Sequence, residues 1–212
     1  MGSFAFDPDQ VQAQIDAAAN REQDSRFSLK PPAGGLVVRV HAKVLDGYTT
    51  PTNKSEAVFQ RAISRDNLWI TREEKAALVA GRVAPTLQRR IARFHLVDNT
   101  RGEPPMWKPE EVKEMHLQVD KGTLVGAVLL ETDDGSRGYQ ASLRGKLTIV
   151  GGVVSVFELV ALGEFYGEGM YTRNAPEGKF PLAVAFQLAD GTDVADAVAP
   201  QGARGWLDGY LK

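Results

Sequence analysis

The sequence contains no cysteine and only three histidines in 212 residues. The absence of cysteine excludes disulfides, thiolate metal sites and thiol nucleophiles, and it leaves the redox compartment open. No run of about 18 apolar residues occurs, so we expect no transmembrane helix. Charges nearly cancel, with 25 Lys and Arg against 27 Asp and Glu, so the basic excess typical of nucleic-acid-binding proteins is missing. These absences predict a soluble chain with no nucleic-acid partner.

Motifs that carry common enzyme chemistry are missing as well. The sequence has no complete phosphate-binding loop, no dinucleotide-binding turn and no Gly-x-Ser-x-Gly elbow. Residues 190–196 depart from a calcium loop and are better explained as a turn followed by a capped helical turn. No pair of histidines has the spacing of a helical or strand metal site, and the three lie far apart in sequence: His41, His95 and His116. We therefore predict no cofactor and no metal ion.

The first residues give no targeting signal. Residues 1–7 lack the positive region and the apolar core of a signal peptide. Because Met1, Gly2 and Ser3 are also residues that cloning commonly adds, we leave the compartment open.

Length and composition indicate one folded domain. The 212 residues are 43% hydrophobic and 25% charged, which are ordinary values for a globular protein. We assign residues 1–35 to an N-terminal helix and linker, and residues 36–212 to a single α+β domain. Asp7 and Pro8 can begin the N-terminal helix. Its weakly apolar face would hold Val11, Ile15 and Ala18 or Ala19.

Helix signals precede residue 110. Thr71 and Glu74 form a capping box, and the helix that follows should run to Ala80 and stop at Gly81. Pro85 should open a second helix that buries Leu87 and Ile91 and leaves a solvated basic stripe of Arg89, Arg90 and Arg93. We interpret residues 94–97 as the start of a strand.

Strand signals dominate the rest of the chain. Residues 36–45 alternate, and residues 112–165 predict a four-strand antiparallel meander with tight turns at 120–122, 133–135 and 151–152. Within this meander, the strands at residues 124–130 and 153–162 are apolar at both odd and even positions, so both of their faces should be covered. Residues 182–188 add a strand. The predicted fold is a curled antiparallel meander, an open barrel-like sheet of about six strands, partly covered by N-terminal helices.

One segment, residues 163–171, combines carboxylates, aromatics and glycines. Glu164 and Glu168 invite comparison with a glycosidase pair. On an extended strand they would lie about 13 Å apart, beyond the roughly 5–9.5 Å that such pairs use. A glycine-kinked strand whose aromatics, Phe165 and Tyr166, cover the core explains the segment better.

The polar loop at residues 99–109 holds two further candidates. Trp107 stands between prolines and is either an exposed aromatic anchor or a ring packed onto the domain, which is the commoner outcome. Arg101 has the geometry to clamp a carboxylate, although pairing with Glu103 is the simpler expectation.

The favoured function is a non-catalytic module that binds a small molecule or a protein partner. Its candidate ligand-binding residues are Trp107, Arg101, Glu164, Phe165, Tyr166 and Glu168. One alternative is a carboxylate-based hydrolase that uses Glu164, Glu168 or Glu158 together with His95, which requires two of these groups to converge in one cleft. The other is a structural or assembly protein that forms oligomers through a sheet edge or its tail.

Overall fold

The computed structural model describes residues 8–19 and 29–212. The predicted cap Asp7 lies outside this part, and so do residues 1–7, for which we predicted no signal peptide. For the first helix only the backbone is described at the positions of its predicted apolar face, Val11, Ile15, Ala18 and Ala19, so that prediction also lies outside the described part. The helices are α1 (Pro8–Ala19), α2 (Lys54–Gln60), α3 (Arg72–Val79), α4 (Pro85–Arg90) and α5 (Leu207–Leu211). The strands are β1 (Leu36–Val44), β2 (Asp66–Ile70), β3 (Val112–Asp120), β4 (Thr123–Glu131), β5 (Gly138–Val150), β6 (Val153–Tyr166) and β7 (Lys179–Leu188).

The described strands form one antiparallel sheet in the order β2-β1-β7-β6-β5-β4-β3. The predicted meander is confirmed as β3 to β6, and β7 extends it before β1 and β2 complete the sheet. The fold is the expected α+β half-barrel, but it has seven strands rather than about six. The missed strand is β2, whose five residues are all buried and therefore show no alternation.

One face of the sheet carries the main core. Side chains at alternate positions of every strand from β4 to β7 and in β1 are buried there, including Val40, Leu143, Leu159 and Val184. Helix α4 and the helical turn after it contact the edge strands β2 and β3, so they close the gap between them. The Gln88 side chain accepts a hydrogen bond from the Leu117 amide and so satisfies part of the β3 edge.

The opposite face of the sheet is open, which corrects the expectation that 124–130 and 153–162 are covered on both sides. Val160 and Leu162 point outward and are 43% and 48% exposed. The helices α3 and α4 pack on the core face instead, so the outward apolar residues of β6 remain uncovered within the described chain.

The helix signals are confirmed in part. Thr71 accepts a hydrogen bond from the Glu74 amide, and the Glu74 carboxylate accepts one from the Thr71 amide. Gly81, at φ +72°, follows the end of α3 as expected. Arg90 was predicted to be solvated, but its side chain is 1% exposed because α5 covers it.

Residues 94–97 are not a strand. A π-helical turn, Ile91–His95, continues α4, and the Leu96 amide donates to the Ile91 carbonyl. Phe94 is buried against Tyr210 of α5, with ring centroids 5.1 Å apart. Residues 94–97 are all buried, so the segment is apolar at consecutive positions and resembles a buried strand in sequence.

A charged cluster joins β1 to the segment that resembled a calcium loop. Arg39 forms ion pairs with Asp190 and Asp196, and Arg65 pairs with Asp196 at 2.7 Å. Asp193 accepts a hydrogen bond from the Ala195 amide at the start of a short helical turn. The segment is thus a turn followed by a capped helical turn.

The charged cluster predicts an acid-sensitive part of the stability. Hydrogen bonds from Thr192 and Arg39 lower the pKa of Asp190 from 3.8 to about 2. A carboxyl with a lowered pKa in the folded state stabilises fully above its unfolded value, and this contribution is lost as pH falls. We expect the urea midpoint to fall between pH 4 and pH 2, with a smaller fall in Asp190→Asn. Asp120→Asn, outside the cluster, should behave as the parent does; equal acid sensitivity of all three proteins would contradict the assignment.

None of the helices among residues 8–19 and 29–212 is long and apolar enough to cross a bilayer.

Candidate functional site

A cleft of about 470 Å³ opens beside the end of β1. This volume lies within the range of small-molecule sites, roughly 300–1,000 Å³. Three separate segments form its walls: the turn at residues 47–52, helix α2, and the loop at residues 173–177. Of the described residues in the 99–109 loop, only Arg101 lines the cleft.

The base of the cleft is held by Arg101. Its side chain is 3% exposed and forms an ion pair of 2.6 Å with Asp98, which is itself buried. Arg101 also donates to the Tyr48 hydroxyl at 2.8 Å and to the Thr172 carbonyl at 3.3 Å. Asp98 is further fixed by hydrogen bonds from the amide and hydroxyl of Thr100. The expected pairing of Arg101 with Glu103 is wrong, because Asp98, three residues earlier in the chain and buried with Arg101, pairs with the guanidinium instead.

The cleft wall is rich in hydrogen-bond donors. The Tyr48 oxygen accepts a hydrogen bond from Arg101, so its own O–H remains available as a donor in the cleft lining. A donor that is itself polarised by a guanidinium forms stronger hydrogen bonds. Arg173 is exposed at the rim and makes no hydrogen bond or ion pair with the part of the chain that the structure describes. Both groups suit an anionic ligand.

The acidic and apolar groups of the cleft have different roles. Glu56 accepts hydrogen bonds from the amide and hydroxyl of Thr52, which lower the pKa of its carboxyl. Its acceptor capacity is thus partly used within the wall. Phe59 of α2 is half-exposed at the rim and offers an apolar surface. The cleft therefore combines hydrogen-bond donors at its base, one aromatic side and two lining carboxylates, Glu56 and Glu177.

The sequence-predicted site residues do not meet in this cleft, apart from Arg101. Trp107 is fully buried, and its indole N–H donates to the Leu96 carbonyl. Phe165 lies in the same core, with its ring centroid 6.2 Å from that of Trp107. Glu168 accepts a hydrogen bond from the Ala175 amide, so it stabilises the 173–177 loop but does not itself line the cleft.

Glu164 and Tyr166 lie on the open face of the sheet, away from Phe165. Together with Glu131, Gln140 and Lys179 they line a shallow depression at the end of β6. Glu164 is exposed and pairs with Lys179 at 3.8 Å.

His95 does not share a cleft with Glu158 or Glu164, two of the three carboxylates named in the hydrolase alternative. His95 is buried on the core side, where its Nε2 lies 2.8 Å from the Tyr210 hydroxyl and its Nδ1 lies 3.3 Å from an Asp66 oxygen. Glu158 and Glu164 point to the open face. His95 and these carboxylates thus face opposite sides of the sheet.

The buried trio of Asp66, His95 and Tyr210 has the atoms of a proton relay but no access for a substrate. Burial raises the pKa of the Tyr210 hydroxyl well above its ordinary value. That hydroxyl also accepts a hydrogen bond from the Trp69 amide. We assign the trio to the attachment of α5.

No group of three or more metal-ligating side chains occurs in the described part of the chain. Comparison with known proteins finds no matching family, no matching curated protein and no matching solved structure.

Sequence reasoning missed Tyr48, Phe59 and Arg173. They come from separate segments, and none stands in a recognisable motif. The one available signal was the composition of two loops, residues 47–52 after β1 and residues 173–177 before β7, which contain Gly, Pro and Thr. Loops on a rigid scaffold often carry binding residues.

Proposed function

We propose that the protein is a non-catalytic binding module that takes a small organic anion into the cleft between α2 and the 173–177 loop. The observation that carries this proposal is the unpaired Arg173 at the rim of a cleft whose base presents the Tyr48 hydroxyl. Arginine and a polarised phenol recognise carboxylates by charge-assisted hydrogen bonds.

The rest of the cleft restricts the ligand. Arg101 is neutralised by Asp98, so it orients Tyr48 rather than supplying a free charge. Phe59 favours a ligand with an apolar or aromatic group next to its carboxylate. The volume of about 470 Å³ limits the ligand to a compact molecule.

Calorimetry with matched ligand pairs tests the proposal. The probes are benzoate, hexanoate and indole-3-acetate, each compared with its neutral amide. We expect at least one carboxylate to bind at least about tenfold more tightly than its amide, because charge-assisted hydrogen bonds are the stronger kind. Arg173→Gln should remove this preference, and Tyr48→Phe should weaken carboxylate binding.

Arg204→Gln is the control, since Arg204 is exposed and lies outside the cleft. It should bind as the parent does. Equal binding of acids and amides, no binding of any probe at millimolar concentration, or full binding by Arg173→Gln would reject the proposal.

A further inference from the structure

The Tyr166 side chain lies on the open face of the sheet, beside Gly138 of the neighbouring strand. Tyr166, Gly138 and Glu131 are neighbours across β6, β5 and β4 in register. A Cβ added to Gly138 would lie 2.5–2.6 Å from three atoms of the Tyr166 side chain, so the ring passes directly over the glycine. The Tyr166 hydroxyl donates to Glu131 at 2.8 Å and fixes the far end of the ring. The ring is therefore held against the backbone of β5 and is partly exposed to solvent.

Polar side chains surround this ring. Gln140 and Glu164 form a cross-strand pair in the next row of the sheet, and both are exposed. Lys179 stands directly across from Tyr166 on β7. With the ring they enclose a depression of about 420 Å³ that is open to solvent. The site thus offers an amide, a carboxylate and an ammonium around one aromatic face.

We propose that this surface binds one pyranose unit of an oligosaccharide. The C–H bonds of a sugar face are weakly positive and fit the negative face of an aromatic ring. The sugar hydroxyls both donate and accept, so they match a rim that holds acceptors and donors side by side. The site is separate from the anion cleft and does not depend on it.

A preformed platform lowers the cost of binding. Gly138 leaves room for the ring, and the hydrogen bond to Glu131 restricts its rotation before any ligand arrives. A side chain that rotates freely otherwise loses conformational entropy when a ligand orders it. The 178–179 segment, at the end of the loop that lines the anion cleft, closes one side of the depression.

Calorimetry with cellohexaose, xylohexaose, maltohexaose and chitohexaose tests the proposal on the whole chain. We expect at least one of them to bind, and Tyr166→Ala to weaken it at least about tenfold. Tyr166→Phe keeps the ring and should retain most of the affinity. Tyr171→Ala removes an exposed tyrosine elsewhere and should have no effect.

Glu164→Ala tests the same surface with a variant that should fold even if Tyr166→Ala does not, because Glu164 is exposed and its loss leaves the core intact. It should weaken the same oligosaccharide. The proposal is overturned if the parent binds none of the four probes, or if binding survives both Tyr166→Ala and Glu164→Ala. Unchanged binding of the carboxylate probes by these variants would show that the anion cleft stands independently.

Discussion

Arg90→Met is expected to lower the free energy of unfolding by about 3–5 kcal/mol, because it leaves a buried carboxylate without its partner. The guanidinium lies at the junction of α3, β2 and α5. It pairs with Glu74 at 2.6 Å and donates to the backbone carbonyls of Trp69, Tyr210 and Leu211. Urea unfolding followed by circular dichroism measures the change.

Two variants make the Arg90 result specific. Arg82→Met removes an exposed arginine and should change stability by no more than about 0.5 kcal/mol. The double variant Glu74→Met with Arg90→Met removes both charges and should recover part of the loss. If Arg90→Met stays within about 1 kcal/mol of the parent, α5 is not held as the structure describes.

Gly163→Ala is expected to destabilise the protein by about 2–3 kcal/mol through overpacking. Gly163 lies on the core face of β6, and an added Cβ would lie 1.9 Å from the Gln140 carbonyl oxygen. That oxygen belongs to the β5 backbone, so the two strands would have to separate. Gly145 makes a similar approach to the Glu158 carbonyl, so a glycine allows close backbone contact between β5 and β6 at both positions.

Comparison with Gly178→Ala distinguishes two causes of destabilisation: steric contact of the added Cβ with a neighbouring strand, and an unfavourable backbone conformation. Gly178 has φ +70°, whereas an added Cβ there would meet nothing within 4 Å. Gly163 does not have a positive φ, so backbone preference alone would make alanine at 163 stabilising by roughly 0.5–1 kcal/mol. We expect Gly163→Ala to be the more damaging change in thermal and urea unfolding. The reverse order would contradict the close packing of β5 and β6.

Local patterns predicted the elements whose surroundings are simple. The meander strands β3 and β5 alternate because one face packs on the core and the other meets solvent. The capping box at Thr71 and the tight turns are set by residues adjacent in sequence, so they needed no tertiary information. Strand β2 was missed because both its faces are buried.

Long-range packing decided what the sequence did not reveal. Arg90 resembles a solvated arginine until α5, over 100 residues later, covers it. Phe165 and Tyr166 were grouped by sequence, although strand alternation sends one to the core and the other to the open face. Tyr48 follows β1 and Arg173 precedes β7. The two residues line the same cleft because these strands are neighbours in the sheet.

An amide chemical-shift titration locates the anion site, with whichever of benzoate, hexanoate and indole-3-acetate binds most tightly as the ligand. We expect the largest shifts at Tyr48, Thr52 and residues 173–175, and we expect Arg173→Gln to abolish them. Shifts centred elsewhere, or unchanged shifts in Arg173→Gln, would contradict binding in the anion cleft.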